Sequence, residues 1–321
     1  MKKTLLRPML CLLAAGLPFS LSWAQGYPTQ PIRMVVPFAA GGITDITARM
    51  FAEGLAKELG QTVVVENRTG AGGSVAAGAV ANAKPDGYTL LVITNGMYAV
   101  NPLIYKKLPY DPKRDFTYVA LLANTPTILA VAGGSSSSSL KELLEKAAAQ
   151  PDKVSFATAG EGSDSYQVLQ LLQQIGGVKM LHVPYKGGSE SMTSLLSGNV
   201  DMTAVSAVPA VSFVKSGQIR PLAVTSSRRL PNLPEIPTVG EVLGKPLEGG
   251  SLSGIAVPAG TPAEIVKRLN AAIAAVAKGD AVRQNIYARG SEPVDGTQEA
   301  FVARVAAEQK KWEGILGSPA H

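Results

Sequence analysis

The sequence predicts an α/β protein built on two sheets. Short β-branched runs alternate with amphipathic stretches along most of the chain, the pattern of βαβ units with largely parallel strands. Ten strand candidates suit two sheets better than one. The 321 residues are also enough to divide a core between two lobes.

In order, the strand candidates are Ile32–Val36, Thr62–Glu66, Tyr88–Thr94, Tyr118–Leu122, Thr127–Val131, Val154–Ala157, Met180–Val183, Val200–Val205, Leu222–Thr225 and Gly254–Val257. Each is rich in residues that fit a pleated, half-buried surface. Between them, Thr44–Leu59 keeps Phe51, Leu55 and Leu59 on one face, and Asp164–Ile175 does the same with Val168, Leu171 and Leu172, so both read as helices packed on a sheet. Ser139-Leu140-Lys141-Glu142 and Thr261-Pro262-Ala263-Glu264 fit the capping box, and the second also has Pro at the first helical position. The box at Ser139 makes Ser135–Ser139 a loop entering a helix rather than a linker. A last amphipathic run from Thr297 to Leu316 offers Phe301, Val305, Trp312 and Leu316 for burial and would dock as a terminal helix, with Trp312 as a core anchor. No period of 20 to 50 residues recurs, which excludes a solenoid or propeller.

The N-terminus carries an address. Lys2, Lys3 and Arg7 precede an apolar run from Met9 to Trp23 that ends Ser22-Trp23-Ala24, which reads as a secretory signal peptide over residues 1–24, cut after Ala24. Pro8, Gly16 and Pro18 interrupt it, and it falls short of the roughly 20 apolar residues a membrane anchor needs. The lone Cys11 lies inside this run as a small hydrophobe. Removing the leader takes three cations, so 27 Lys and Arg against 24 Asp and Glu leave +3 in place of +6. Most of the basicity is therefore a targeting signal, and no nucleic-acid footprint remains. The mature chain has no cysteine, hence no disulfide, thiolate nucleophile or Cys-based metal site.

The chemical inventory is short. The chain has two histidines, His182 and His321, so a His-rich metal site is excluded and a Ser-His-Asp triad would have to use His182. Neither G-x-S-x-G nor H-E-x-x-H nor a P-loop occurs. His182 reads as a satisfied, partly buried residue at a strand end, with a secreted serine hydrolase built on it as the rival enzyme reading. Gly70-Ala71-Gly72-Gly73 follows a strand, but Val75 occupies the third glycine position of a dinucleotide fingerprint, so these glycines serve a tight loop.

Three other glycine loops carry more. Phe38-Ala39-Ala40-Gly41-Gly42-Ile43-Thr44-Asp45 joins the first strand to the first helix, so small residues expose backbone N–H groups at a helix N-terminus, which favours an anion. Thr158-Ala159-Gly160-Glu161-Gly162-Ser163 repeats the arrangement, and Pro184-Tyr185-Lys186-Gly187-Gly188-Ser189 repeats it again. Such loops converge at the carboxyl edges of parallel strands, where open α/β sheets bind ligands. Asp45 and Thr44 have a capping role open to them. Glu161 and Asp164 either face solvent or meet a cationic group on the ligand, such as an amine. Lys186 is the one cation within these loops, and Tyr185 and Tyr98 supply amphipathic walls.

The ordered motifs Tyr27-Pro28-x-x-Pro31-Ile32-Arg33, Val36-Pro37-Phe38-Ala39-Ala40-Gly41-Gly42-x-Thr44-Asp45, Val64-Val65-Glu66-Asn67-Arg68-x-Gly70-Ala71-Gly72-Gly73, Pro85-Asp86-Gly87-Tyr88-Thr89-Leu90, Tyr110-Asp111-Pro112-x-x-Asp115-Phe116, Val183-Pro184-Tyr185-Lys186-Gly187, Pro237-Thr238 and Pro258-Ala259-Gly260-Thr261-Pro262 resemble the Bug family, the periplasmic solute receptors of tripartite tricarboxylate transporters. The resemblance covers residues 25–316. It implies a two-lobed, type II periplasmic-binding-protein fold, each lobe a mostly parallel sheet flanked by helices, that captures a small carboxylate by backbone amides and delivers it to a membrane permease. Carried onto this chain, the near lobe contributes Ala39, Ala40, Gly41, Gly42 and Thr44 with Thr94 and Asn95. The far lobe contributes Ala159, Gly160 and Ser163, with Tyr185, Lys186 and Gly187 as rim, and Phe38, Asp45 and Ser206 complete the candidate set. Lobe one is expected at residues 25–124 and 227–321 and lobe two at 125–226, with hinge crossings near Asn124 and Ser226. No cofactor, metal or catalysis is implied, and a monomer is expected. A sensor presenting its liganded form to a membrane kinase uses the same cleft and remains a rival reading. Ile43, Glu161, Asp164 and Ser251 depart from the family pattern, the last where a Trp is common, and these departures bear on ligand identity.

Overall fold

A computed structural model describes residues 26–288, 290–292, 294 and 296–317. The leader of residues 1–24 with Cys11, and the terminal His321, lie outside the described residues. Strands and helices alternate as the pattern demands. They run β1 (Ile32–Val36), α1 (Ile43–Leu59), β2 (Val63–Asn67), α2 (Ser74–Ala81), β3 (Thr89–Thr94), a π-helical turn Gly96–Val100 leading into α3 (Asn101–Ile104), and β4 (Phe116–Ala132). Then follow α4 (Leu140–Ala149), β5 (Ser155–Thr158), α5 (Asp164–Gly176), β6 (Leu181–Pro184), α6 (Gly188–Leu196), β7 (Met202–Ser206), α7 (Ala207–Lys215) and β8 (Ile219–Val224). The chain ends with α8 (Val239–Leu243), β9 (Gly250–Pro258), α9 (Ala263–Lys278), α10 (Asp280–Ala288) and α11 (Gln298–Leu316).

Nine strands replace the ten candidates, because Tyr118–Leu122 and Thr127–Val131 are parts of one strand. Strand β4 is 17 residues long and serves both halves of the molecule. Its first part pairs with β9 from Phe116 to Pro126, and its last part pairs with β7 and β8 from Thr127 onward. Asn124–Pro126 keep an extended backbone because Gly250–Leu252 supply a partner strand across the gap. The sheet order is β2-β1-β3-β9-β4-β7-β5-β6, with β8 beside β4. Parallel pairing holds among β1, β2 and β3 and among β5, β6 and β7, whereas β4 and β9 run antiparallel to their neighbours. The antiparallel strands are those that carry the chain between the halves.

Helix starts obey local chemistry with one correction. The Ser139 hydroxyl accepts from Glu142 N–H, while the Glu142 carboxylate turns back one residue further, to Ser138. The capping box expected at Thr261 does not form. The buried Thr261 hydroxyl donates instead to the Pro258 carbonyl at 2.7 Å, and Pro262 stands at the N-cap without a side-chain cap. A full capping box forms at Thr238 and Glu241, which the sequence reading passed over.

One core runs through both halves. Tyr98, Phe301 and Trp312 join Leu129, Phe156 and Leu172 in a single buried cluster, and Trp312 is 1% exposed. Helix α11 closes it as the terminal pattern requires, with Phe301 edge-on to Tyr98 and Tyr118. A second cluster packs α1 and α9 on the outer face of the first half, through Phe51, Leu55, Leu269 and Ile273. Among the described residues, no helix is long and apolar enough to cross a membrane.

Candidate functional site

The parallel register brings the loops together. Because β5 pairs in parallel with both β6 and β7, their carboxyl ends place Thr158–Ser163, Pro184–Gly187 and Ser206 side by side on one edge. Parallel pairing of β1 with β3 does the same for Phe38–Asp45 and for Thr94 and Asn95 in the other half. Direct contact between the two edges is made by Asn95. Its amide donates to Gln167 Oε1 at 2.9 Å and to the Gly250 carbonyl at 3.2 Å, and its own Oδ1 accepts from Leu252 N–H. Gln167 in turn donates to the Gly162 carbonyl. A Cβ on Gly96 would collide with that carbonyl, and one on Gly162 with Asn101 Oδ1, so the backbones approach as closely as glycine permits.

The first loop is exposed from Ala39 to Gly42 and organised from below. Gly41 has φ 81°, a left-handed conformation suited to glycine, and Gly42 is the N-cap of α1. Asp45 does not cap the helix. Its buried carboxylate accepts from Gly41 N–H at 2.9 Å, from Asn67 Nδ2 at 2.8 Å and from Arg49 Nε at 2.9 Å, while Asn67 also donates to the Phe38 carbonyl. Burial alone would raise its pKa, but these donors prevail and hold it below the ordinary carboxylate value. The Gly41 and Gly42 N–H groups are thus spent within the loop, the latter on the Ala39 carbonyl, and the donors left for an anion are those of the first turn, Ile43, Thr44 and Asp45.

In the second loop Gly160 has φ 106°, its N–H donating to the Thr158 hydroxyl, and Ser163 caps α5 by accepting from Tyr166 N–H. Ala159 N–H donates to the Ser165 hydroxyl. The Thr158 hydroxyl also meets His182 Nε2 at 2.7 Å, and His182 stacks on Phe156 with ring centroids 5.0 Å apart. Burial lowers the His182 pKa, with Glu161 opposing. Thr158 is 0% exposed, so this hydroxyl–imidazole pair holds the loop in shape and does not face a substrate.

The third loop is tied to the second by Tyr185 N–H on the Thr158 carbonyl. The Tyr185 hydroxyl meets Ser194 Oγ at 2.5 Å, Gly187 is the N-cap of α6, and Lys186 is exposed, its N–H donating to Glu190. Ser206 stands at the N-cap position of α7 but makes no side-chain capping bond, and its hydroxyl is buried without a partner among the described residues. Sequence reasoning missed Gln167, Gly96 and Asn101, which look like ordinary helix and turn residues until the halves are joined.

Asp164, the first residue of α5, lies half-buried beside this assembly. Burial pushes its pKa up to about 6, and a hydrogen bond from Ser251 of β9 works the other way. An open groove of about 700 Å³ between α1 and β2, lined by Arg49, Glu53 and Gln61, lies on the outer edge of the sheet and shares none of the candidate residues.

A family model described as "Tripartite tricarboxylate transporter family receptor" matches residues 47–318. The chain is 33% identical over 303 residues to Protein BugT of Bordetella pertussis, covering 94% of this chain and 93% of that protein. It superposes on the R. palustris protein Rpa4515 with adipate at a TM-score of 0.83, with 35% identity, covering 90% of this chain and 97% of the other. It also superposes on MatC of Rhodopseudomonas palustris with bound malate, at a TM-score of 0.81 and 34% identity, covering 90% of this chain and 100% of the other.

Proposed function

The chain belongs to the tripartite tricarboxylate transporter receptor family, and from that membership we propose that it captures a small organic carboxylate between two lobes through backbone N–H groups, for delivery to a membrane permease. The observation that carries this reading is the placement of the loops. Helix N-termini at Gly42, Ser163 and Gly187 stand at carboxyl strand edges of two halves that meet at Asn95 and Gln167, and similar chains hold adipate and malate. A carboxylate placed there meets unpaired first-turn donors and the positive ends of helix dipoles. The lobes divide at residues 25–124 with 227–321 and at 125–226. Asn124 in β4, tied to Glu292 by two backbone hydrogen bonds, and Ser226 just past β8 serve as the crossings. The first 24 residues direct the chain to the periplasm, where it acts as a monomer.

Closure is a population shift, so the ligand must touch both lobes to favour the closed state. Calorimetric titration with adipate, malate, succinate and citrate tests the reading. Gly41→Val and Gly160→Val should abolish binding, because each forces a β-branched residue into positive φ, and Lys186→Ala should weaken it about threefold. Retained affinity in both glycine variants would overturn recognition by the main chain.

A further inference from the structure

The second glycine loop hangs on a histidine that the proposed cleft does not use. His182 Nε2 meets the Thr158 hydroxyl at 2.7 Å, the same hydroxyl accepts from Gly160 N–H at 3.2 Å, and the Gly160 carbonyl accepts from the Ser163 hydroxyl at 2.6 Å. Gly160 is therefore held on both sides in its positive-φ conformation, and the Glu161 and Gly162 N–H groups that follow have no partner among the described residues. Gly162 faces the other half, since its carbonyl is the atom that a Cβ on Gly96 would strike.

This chain of hydrogen bonds fixes the state of the imidazole. The Thr158 oxygen already accepts from Gly160, and its own proton, on a fully buried side chain, has His182 Nε2 as its one acceptor among the described residues. Nε2 is then unprotonated and the ring proton sits on Nδ1. A proton added in acid goes to Nε2, which turns the ring into a second donor and leaves the Thr158 proton buried without an acceptor. The surroundings do little to offset this. Strand β6 is the sheet edge, β5 contributes the Phe156 ring stacked at 5.0 Å, α5 contributes the Tyr166 ring at 5.3 Å, and the exposed Glu161 carboxylate is the one charge acting on the imidazole among the described residues. Burial outweighs Glu161 and keeps the pKa below the ordinary histidine value, so the ring is neutral at pH 7.5.

We propose that His182 and Thr158 are positioning residues for ligand capture: the neutral ring, by accepting from the Thr158 hydroxyl, keeps that oxygen on Gly160 N–H and the second loop in its binding shape, and protonation of the ring releases the ligand. This rests on the carboxylate-receptor reading above and adds control of the same site by protons. Calorimetry from pH 7.5 to 5 tests it, with whichever of adipate, malate, succinate and citrate the wild-type protein binds most tightly. The ligand and Asp164 ionise in the same range, so the quantity read is the ratio of wild-type affinity to that of His182→Gln, whose amide oxygen is an acceptor that does not titrate. That ratio should be level near pH 7.5 and fall by about threefold or more by pH 5, within the limit of about tenfold per pH unit for release coupled to one proton. Thr158→Val removes the hydroxyl and should weaken binding about tenfold at pH 7.5, and Thr158→Ser should restore it. In wild-type protein, NMR of the imidazole should find the ring proton on Nδ1 and a His182 pKa that drops when ligand saturates the site, as linkage requires. This last measurement keeps the test decisive if a variant folds poorly. A level ratio throughout, or one that rises in acid as it would if a cationic ring attracted the carboxylate directly, would overturn the proposal and leave the receptor reading standing. So would binding by Thr158→Val within about twofold of wild type, or a His182 pKa indifferent to ligand. Failure of all four carboxylates to bind at any pH would remove both.

Discussion

Replacing Asp45 with alanine removes the acceptor that shapes the first glycine loop. Its buried carboxylate, 1% exposed, takes the Gly41 N–H at 2.9 Å and the Asn67 amide at 2.8 Å. Each charge-assisted hydrogen bond contributes about 1.5–3 kcal/mol. The half-exposed Arg49 pair at i+4 adds only about 0.3–0.5 kcal/mol. Water can reach Gly41 once the carboxylate is gone, so the net loss should be roughly 2–4 kcal/mol. At about 2–4 °C per kcal/mol, the melting temperature should drop by roughly 4–16 °C. Asp45→Asn keeps one acceptor and should lose about half as much. The pH dependence carries a sign. The Asp45 pKa is lowered in the folded state, so its contribution is present above the unfolded value near 3.9 and is lost as pH falls through the folded value. The stability gap between wild type and Asp45→Ala should therefore be constant above about pH 5 and close below about pH 4. Scanning calorimetry across that range, paired with titration of a carboxylate ligand, measures both effects. Melting within 2 °C of wild type together with undiminished ligand affinity would refute the claim that Asp45 organises a binding loop.

Three further outcomes are expected. Gly96→Ala puts a methyl against the Gly162 carbonyl and should weaken ligand affinity about tenfold while small-angle scattering of the liganded protein reads a more open shape; unchanged affinity would show that the close approach is not needed for closure. Burial lowers the His182 pKa, which favours the neutral ring in the fold, so the stability it contributes should be present above about pH 6.5 and lost as pH falls. Melts from pH 7.5 to 5 should then slope more steeply in wild type than in His182→Gln, and equal slopes would count against the assignment. Trp312→Ala empties a fully packed site in the core shared by both halves and should cost about 3–5 kcal/mol by denaturant titration, with Trp312→Phe losing less; a loss below about 1 kcal/mol would mean that α11 is not a structural closure.

Much of this protein was legible in the residue pattern alone, because period and punctuation are local properties. The β-branched runs bounded by Gly and Pro located every strand to within three or four residues at each end, the i+4 apolar spacing located α1, α5 and α11, and the glycine loops followed from where strand gives way to helix. The ordered motifs from Tyr27 to Pro262 carried the family. Tertiary contacts decided the rest. The two central candidates fused into β4 because β9, more than 120 residues later, supplies hydrogen-bond partners across Asn124–Pro126. Asp45 turned from a candidate cap into a loop organiser because Asn67, 22 residues later, and Arg49 converge on it. Gln167 acquired meaning only when Asn95 reached it from the other half. Hydrophobic periodicity and turn chemistry are written into neighbouring residues, whereas hydrogen bonds between residues 70 or more positions apart exist only once the chain has closed on itself.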